Sequence, residues 1–342
     1  MLPHLSSSPA NPSSPHAFGR SARASLQTAR QTVADFFHVS PKQVIFTSGG
    51  TEGLNSCLKK EGHLITSEIE HAAILKPLSD YPHVTYLKVD AWGAPLPEKL
   101  EAAITPHTRQ IILSAANNET GVKSDLKALS EIARSHHIPL IIDGVALLGK
   151  GDVVIPSGVA AIAFSSHKIH GPKGVGCLIL NATHPFIPLI KGGGQEHGLR
   201  SGTENLAGII GFARALELLS SHDYLKMQHL RDYFESSLPH ISLNGLGPRV
   251  SSVSNLAFEG CDGETLLIDL DRHGIAVSHG SACSTLALEP SHVLLKMGYP
   301  KKRVLSSLRF SLSRLTTQDE LNYTIERLLK WSPRVEAKPP LK

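Results

Sequence analysis

Short apolar runs separated by helix-like segments constrain the fold of this chain more than any other feature. Continuous runs of Ile, Leu, Val and Ala are typical of strands that are buried on both faces. Because helical patterns fill most of the gaps between the runs, we predict an α/β protein with a mostly parallel sheet and helices on both sides. The strand candidates are residues 63–66, 84–89, 110–115, 139–142, 159–164 and 175–180.

A change of pattern in the second half of the chain predicts two domains, and 342 residues are enough for about that number. A long helical stretch runs from Asn205 past Tyr233, and the segments beyond it are shorter and alternate in polarity, as in residues 251–258. We therefore predict a large domain over residues 1–225 and a small α+β domain over residues 226–342.

Composition and charge argue against several classes of protein. Lys and Arg number 34 against 30 Asp and Glu, a net charge of +4, and no basic run is dense enough to indicate nucleic-acid binding. The longest apolar stretch, residues 159–164, is too short to cross a bilayer, and the first residues lack the pattern of a signal peptide. The four cysteines include no CxxC pair, which argues against a disulfide scaffold or a Cys-rich zinc site. We expect a cytoplasmic protein.

Polar residues that follow the strand candidates are the first candidates for a site, because ligands of open α/β sheets bind beyond the carboxyl ends of the strands. Residues 43–46 form a short apolar run that leads into Thr47-Ser-Gly-Gly-Thr-Glu52. A glycine turn before a helix offers amide N–H groups and a positive dipole end to a phosphate, and Thr51 adds a hydroxyl. The Gly-Lys-[Ser/Thr] ending of a Walker A loop is absent. The alternative is an ordinary capped start of a helix.

Two further polar positions also follow strand candidates. Asp143 comes directly after residues 139–142, and a buried carboxylate is costly unless it meets a cation or several donors. It could pair with a protonated ring nitrogen or a metal, or cap the next helix. Lys168 lies in a polar, glycine-rich turn, where a partly desolvated lysine near other cations can form a Schiff base. The alternative for Lys168 is a solvated charge.

The last two candidates lie in the small domain. Cys283 stands among Gly, Ser and Ala, where a thiol can be exposed. Arg309 lies in a strand-like segment and suits a bidentate carboxylate clamp. An incidental loop cysteine and a surface arginine are the alternatives. Together with the phosphate-binding turn, the lysine and the aspartate, these residues fit a pyridoxal-phosphate enzyme that acts on an amino acid.

The same motifs resemble those of a known family. In order along the chain, they are similar to the motifs of the cysteine desulfurases that supply sulfur for iron–sulfur cluster assembly, in the Gly-Ser-Ala-Cys subgroup of the class V aminotransferase superfamily. The resemblance implies a fold-type I pyridoxal-phosphate transferase, with a mostly parallel, seven-stranded-type sheet in the large domain and the catalytic-Cys loop in the small one. The matching stretches are residues 11–14, 47–52, 70–71, 117–122, 165–168, 170–174, 192–196, 200–205, 280–283, 288–291 and 309–311.

The resemblance implies catalytic roles for four residues. Lys168 would hold pyridoxal 5′-phosphate through an imine and, once displaced by L-cysteine, would take the α-proton. Asp143 would pair with the pyridinium nitrogen, and His71 would stack on the ring and help to move protons. Cys283 would attack the substrate sulfur, which leaves a persulfide on the enzyme and releases alanine.

The resemblance also implies the binding residues and partners. Asn118 would contact the ring hydroxyl oxygen and the substrate, and Arg309 would clamp the substrate carboxylate. An iron–sulfur scaffold or a tRNA-thiolation relay would accept the sulfur. No metal site is implied, apart from a cluster held transiently through Cys283. The phosphate would be bound by Gly50, Thr51, Ser165 and His167, with Thr203 from the other subunit of a homodimer.

Three departures from the family pattern concern the pocket. The usual opening strand is missing, since the first five residues resemble the end of the helix that follows it. Ala146 stands three residues after Asp143, where the family commonly has a Gln that contacts the ring oxygen. His197 stands where Arg is usual.

Two alternatives to an active desulfurase follow. One is a related aminotransferase or selenocysteine lyase, against which the Gly-Ser-Ala-Cys context of Cys283 argues. The other is a catalytically impaired scaffold or sulfur-carrier partner, which the missing opening segment and Ala146 would favour.

Overall fold

Seven strands form a central sheet, and both of its faces are covered. The computed structural model describes residues 1–6, 10–181, 186–239, 241–280 and 289–331. The strands lie in the order β1-β7-β6-β5-β4-β2-β3. Their bounds are β1 Val44–Thr47, β2 His63–Ser67, β3 Val84–Leu87, β4 Thr108–Ser114, β5 Leu140–Asp143, β6 Val159–Ser165 and β7 Gly176–Leu180.

The predicted, mostly parallel sheet is confirmed. Strands β3, β2, β4, β5 and β6 pair in parallel, and every predicted strand lies within a few residues of an observed one. Only β7 runs against its neighbours β6 and β1. The reason is the connection: a short turn of residues 166–175 joins β6 to β7, whereas a parallel pairing needs a crossover of a dozen residues or more.

Alternate residues of the strands enter two apolar cores. Ile111 and Leu113 of β4 belong to one core, and Ile112 between them belongs to the other. The helices supply the rest of each core, because their apolar faces repeat at the helical period. The described helices are α1 Leu2–Ser6, α2 Ala17–Phe37, α3 Gly50–Cys57, α4 Ala72–Leu78, α5 Pro97–Ala103, α6 Leu126–Ser135, α7 Leu206–Glu217, α8 Ser221–Ser236, α9 Gly263–Arg272, α10 His292–Lys296, α11 Lys301–Leu305 and α12 Gln318–Leu329.

The single long helix predicted after Asn205 is two helices. Helix α7 ends at Glu217, and Ser220 starts α8 as an N-cap whose side chain accepts a hydrogen bond from the Asp223 N–H at 3.3 Å. A serine that satisfies a free N–H group in this way favours a new helix start over continuation. No helix of the described residues is long and apolar enough to cross a membrane.

A second, antiparallel sheet has the order β10-β9-β8 and consists of β8 Ser242–Leu243, β9 Val253–Ala257 and β10 Ser307–Ser311. Its core includes Phe234 of α8 and Phe310 of β10, whose ring centroids lie 4.9 Å apart. Helices α9 and α12 contribute Leu270 and Leu321 to the same core. This sheet carries Arg309 towards the central sheet.

A buried ion pair joins α2, β1 and the loop before α7. The Arg30 guanidinium donates to both carboxylate oxygens of Glu196, at 2.8 and 2.6 Å, and the N–H of Phe46 donates to the same carboxylate at 2.8 Å. Glu196 has a φ of 49° and His197 one of 59°, both in the left-handed region that is costly for residues other than glycine. The ion pair therefore holds a strained loop, and His197 lies exposed beside it.

We expect Glu196→Gln to destabilise the fold by about 3–5 kcal/mol, because it leaves a buried guanidinium without its counter-charge. Urea unfolding would measure the loss, and Arg30→Met combined with Glu196→Gln should recover part of it. The control is Glu326→Gln, in an exposed pair with Lys330 at 2.7 Å, which should change stability by no more than about 0.5 kcal/mol. Equal effects of the two single substitutions would contradict this interpretation.

Candidate active site

A cavity of about 510 Å³ opens at the carboxyl ends of β4, β5 and β6. Ser114, Asp143 and Ser165, the last residues of these strands, all line it. Nine of the predicted site residues line the same cavity: Gly50, Thr51, His71, Asn118, Asp143, Ser165, His167, Lys168 and Arg309. Thr203 is exposed and is not part of this lining, and Cys283 lies outside the described residues.

The turn before α3 forms a cradle of donors at one end of the cavity. The Gly50 N–H donates to Ser165 Oγ at 2.7 Å, which joins the start of α3 to the end of β6. A Cβ atom on Gly50 would lie 2.4 Å from Cγ2 of Val145, so a larger residue would require Val145 to move. The hydroxyl groups of Thr51 and Ser165 line this end of the cavity and, with the N-terminus of α3, suit a phosphate.

Glu52 stabilises the turn that forms the cradle. Its carboxylate accepts from the Ser48 N–H at 2.8 Å and from Arg200 Nε at 3.0 Å. Partial burial acts to raise the pKa of Glu52, but the hydrogen bonds from Arg200 and Ser48 outweigh it and lower that pKa. The charged carboxylate therefore fixes the turn to the segment that carries Thr203.

Asp143 presents a buried carboxylate to the cavity. It is 7% exposed, and one oxygen accepts from the Val145 N–H at 2.9 Å. Burial raises the pKa of Asp143, while that hydrogen bond and the nearby His71 and Lys168 act to lower it. A buried carboxylate with only part of its hydrogen-bonding capacity used inside the protein is suited to a cationic N–H of a ligand.

His71 and Lys168 approach from elements on either side of Asp143. His71 is the N-cap of α4, and its Nδ1 accepts from the Ala73 N–H at 3.0 Å, so the neutral ring carries its proton on Nε2. Lys168 lies in a short 3₁₀ helix, Ser166–Ile169, directly after β6. Burial lowers the pKa of the neighbouring His167, and the charges of Lys168, Lys173 and Lys150 lower it further.

Arg309 of β10 reaches the cavity from the small sheet and is fixed at two points. It donates to the Asn118 carbonyl oxygen at 3.0 Å and to Ser278 Oγ at 3.1 Å. The turn that carries Asn118 is held by Asn117, whose Oδ1 accepts from the N–H groups of Glu119 and Thr120 at 2.9 and 3.0 Å. The two sheets therefore meet at the site.

Two titratable residues near the cavity were not predicted. Lys150 lines the cavity at the end of the turn that follows β5. Glu70 is fully buried behind Ser114, which donates to it, and it accepts from Ser67 Oγ at 2.5 Å. Burial raises the pKa of Glu70 to about 7; the two serines act against this rise, and the charge of Asp143 adds to it. Glu70 belongs to the matching stretch of residues 70–71, but the sequence assigns no role to it, and Lys150 lies in no matching stretch.

No group of three or more His, Cys, Asp or Glu side chains in the described parts of the chain is arranged to hold a metal ion. His167 and His170 both line the cavity, together with amine and hydroxyl groups. The cavity therefore offers a donor cradle at one end, a carboxylate, an imidazole and an amine in the middle, and a guanidinium opposite.

Comparisons with known proteins agree with this arrangement. The family model for class-V aminotransferases matches residues 1–324. The cysteine desulfurase IscS of Dictyoglomus turgidum is 38% identical, over all of this chain and 92% of its own length. A solved NifS-like protein superposes with a TM-score of 0.88 at 32% identity, covering 96% of this chain and 94% of that one. The NifS-like protein of Rickettsia africae gives a TM-score of 0.87 at 30% identity, covering 95% and 92%.

The fold and the composition of the cavity define a transferase of the class-V aminotransferase type. Within that class, the chain belongs to the cysteine desulfurase family. The resemblance drawn from the motifs is thereby confirmed.

We expect Glu70→Gln to change how stability depends on pH. Between the ordinary carboxyl pKa and about 7, the folded chain keeps a proton that the unfolded chain loses, so stability falls as pH rises through this range. The variant lacks this titration, and its stability relative to the parent should increase by on the order of 3 kcal/mol from pH 4.5 to 7.5. Urea unfolding at a series of pH values measures this. The exposed Glu61→Gln is the control, and parallel profiles for parent and Glu70→Gln would refute the assignment.

Proposed function

We propose that this protein is a pyridoxal-phosphate-dependent desulfurase that converts L-cysteine to L-alanine and takes the sulfur as a persulfide on Cys283. The observation that supports this most is the single cavity in which Lys168, Asp143 and His71 meet a phosphate-type cradle. The desulfurase relatives favour this function over an aminotransferase, a selenocysteine lyase or an inactive scaffold.

The residues present fit the cofactor. A cavity of about 510 Å³ is within the usual size range for small-molecule sites. The cradle of Gly50, Thr51, Ser165 and His167 suits the phosphate. A Cβ atom at position 50 would lie too close to Val145. Asp143 would hold the ring nitrogen, His71 the ring face and Asn118 the ring hydroxyl oxygen. Lys168 would supply the amine that attaches the cofactor.

When bound, the cofactor supplies an electron sink for the α-carbon of an amino acid. Arg309 binds and orients the substrate carboxylate, since its guanidinium is held at a fixed place by Asn118 and Ser278. Lys168 Nζ accepts the α-proton. Asp143 remains a carboxylate next to the ring nitrogen and keeps that nitrogen protonated.

Sulfur transfer then needs a thiolate. The Cys283 sulfur attacks the substrate sulfur, the new S–S bond forms as the carbon–sulfur bond breaks, and the bonding pair stays with the carbon, which takes a proton to give alanine. Burial raises the pKa of Cys57 to about 12 and that of Cys177 beyond this, so these two thiols stay protonated. Cys261 packs at the edge of the small-sheet core, away from the cavity lining.

Partners and organisation are part of the same proposal. A homodimer would bring Thr203 of the second subunit to the phosphate, which agrees with its exposure in one chain. An iron–sulfur scaffold or a tRNA-thiolation relay protein would accept the persulfide sulfur, and the protein would act in the cytoplasm. The division into residues 1–225 and 226–342 assigns the Cys283 loop to the small domain.

The direct test is sulfide release from L-cysteine, with pyridoxal phosphate and a thiol reductant present. We expect the parent to release sulfide and alanine rather than a keto acid. Cys283→Ser should lower sulfide release by at least about 100-fold while the cofactor absorbance stays unchanged, because only the nucleophile is lost. Lys168→Ala should remove both the activity and the lysine imine band.

Cys261→Ser is the matched control and should keep full activity, since its thiol is not part of the cavity. Full sulfide release by Cys283→Ser would refute the role of that cysteine. Absence of the imine band in the parent would refute the cofactor assignment, and a keto-acid product would favour an aminotransferase.

Ala146 is predicted to weaken the tuning of the cofactor, because the family's Gln at this position contacts the ring oxygen. Ala146 lies in the partly buried turn after β5 and lines the cavity. We expect Ala146→Gln to shift the absorbance maximum of the imine or the pH at which it titrates. Spectra recorded from pH 6 to 10 for both proteins would measure the shift, and identical spectra and titrations would contradict the prediction.

A further inference from the structure

Lys150 is a cation of the cavity for which the proposed mechanism has no use. It ends the turn that follows Asp143, and its carbonyl oxygen accepts from both the N–H and the Oγ of Ser251, at 3.0 and 2.9 Å. Gly149 before it has a φ of 73°, and a Cβ there would lie 2.5 Å from Ile169. The backbone of Lys150 is therefore fixed between the turn after β6 and the segment before β9.

The surroundings of Lys150 are strongly positive. Burial, together with the charges of Lys168 and Arg309, lowers the pKa of Lys150 to about 8. No carboxylate contributes to this balance, although Asp143 and Asp223 also line the cavity. Lys150 forms no ion pair with any of the described residues. The other charged or titratable residues that line the same cavity are His71, Asp143, His167, Lys168, His170, Asp223, Arg309 and Arg314.

Lys150 shares the cavity with the cations Lys168 and Arg309, and a further desolvated cation there is costly unless an anion binds with them. The proposed cofactor phosphate already has its own donors at the α3 end of the cavity, in Thr51, Ser165 and His167. Arg309 uses two of its N–H groups to bind Asn118 and Ser278. The anion that Arg309 is proposed to bind is the substrate carboxylate, and Lys150 acts electrostatically on the same guanidinium.

We propose that Lys150 is a second binding group for the α-carboxylate of the amino-acid substrate, acting beside Arg309. The inference rests on the proposed function, since it assigns a residue to the substrate site of that function. The bound carboxylate offsets the repulsion between the two cations, so Lys150 is charged in the complex. Above about pH 8 the free enzyme loses this charge, and binding of carboxylate ligands weakens.

The test measures ligand binding and not turnover. The change in cofactor absorbance is titrated with L-alanine, which keeps the carboxylate, and with ethylamine, which is alanine without it. We expect Lys150→Met to weaken L-alanine binding by about 10- to 100-fold and to leave ethylamine binding within about 2-fold. Lys150→Arg, which stays charged, should restore most of the affinity. At pH values above 8, the dissociation constant of the parent for L-alanine should increase relative to that of Lys150→Arg.

Lys173→Met is the matched control, because Lys173 is an exposed lysine on the turn after β6 that is not part of the cavity lining. It should bind both ligands as the parent does. Equal weakening of L-alanine and ethylamine by Lys150→Met, together with faster loss of the cofactor, would assign Lys150 to the phosphate instead and overturn the proposal. An unchanged L-alanine affinity would overturn it as well. If the parent itself forms no imine band, the proposed function fails rather than this inference.

Discussion

The parallel register of β4, β5 and β6 is the constraint on which the rest of the site depends. Ser114 pairs with Asp143, and Asp143 pairs with Ala163, so the three strands end at nearly the same level. Polar groups that lie far apart in the sequence then share one edge of the sheet. A slip of one residue between β4 and β5 would turn Asp143 to the opposite face, among apolar side chains, where its burial would be far more costly.

The antiparallel pairing of β7 with β6 keeps the amine of Lys168 at that edge. Because β6 and β7 are joined by a short turn, residues 166–175 stay next to the end of β6 instead of crossing the sheet. The charge of Lys168 consequently acts on Asp143, where burial strengthens charge–charge interactions. Glu70 lies behind Ser114, and burial raises its pKa to about 7, with a smaller contribution from the charge of Asp143.

The small sheet supplies Arg309 to the cavity at the edge of the central sheet. Arg309 pairs in β10 with Asn255 of β9, and Asn255 donates to the Glu119 carbonyl oxygen at 3.1 Å. Glu119 in turn accepts from Ser291 Oγ at 2.5 Å, across a separation of 172 residues. These bonds tie the turn that carries Asn118 to the sheet that carries Arg309. The position of the guanidinium relative to Lys168 is therefore set by the packing of the two sheets.

The sequence by itself determined the strands of the central sheet, the helical segments between them and nine of the residues that line the cavity. Apolar runs identify buried strands because burial on both faces removes any need for polar positions, and Asp143 and Lys168 were recognisable because they interrupt such runs. Only the tertiary structure decided that Lys150 and Glu70 belong to the site. Lys150 enters it because the turn after β5 folds back over Ile169, and the pKa of Glu70 is set by complete burial beside Ser67 and Ser114. Charges and pKa values depend on neighbours that are distant in the chain, and a sequence pattern records only those that are close.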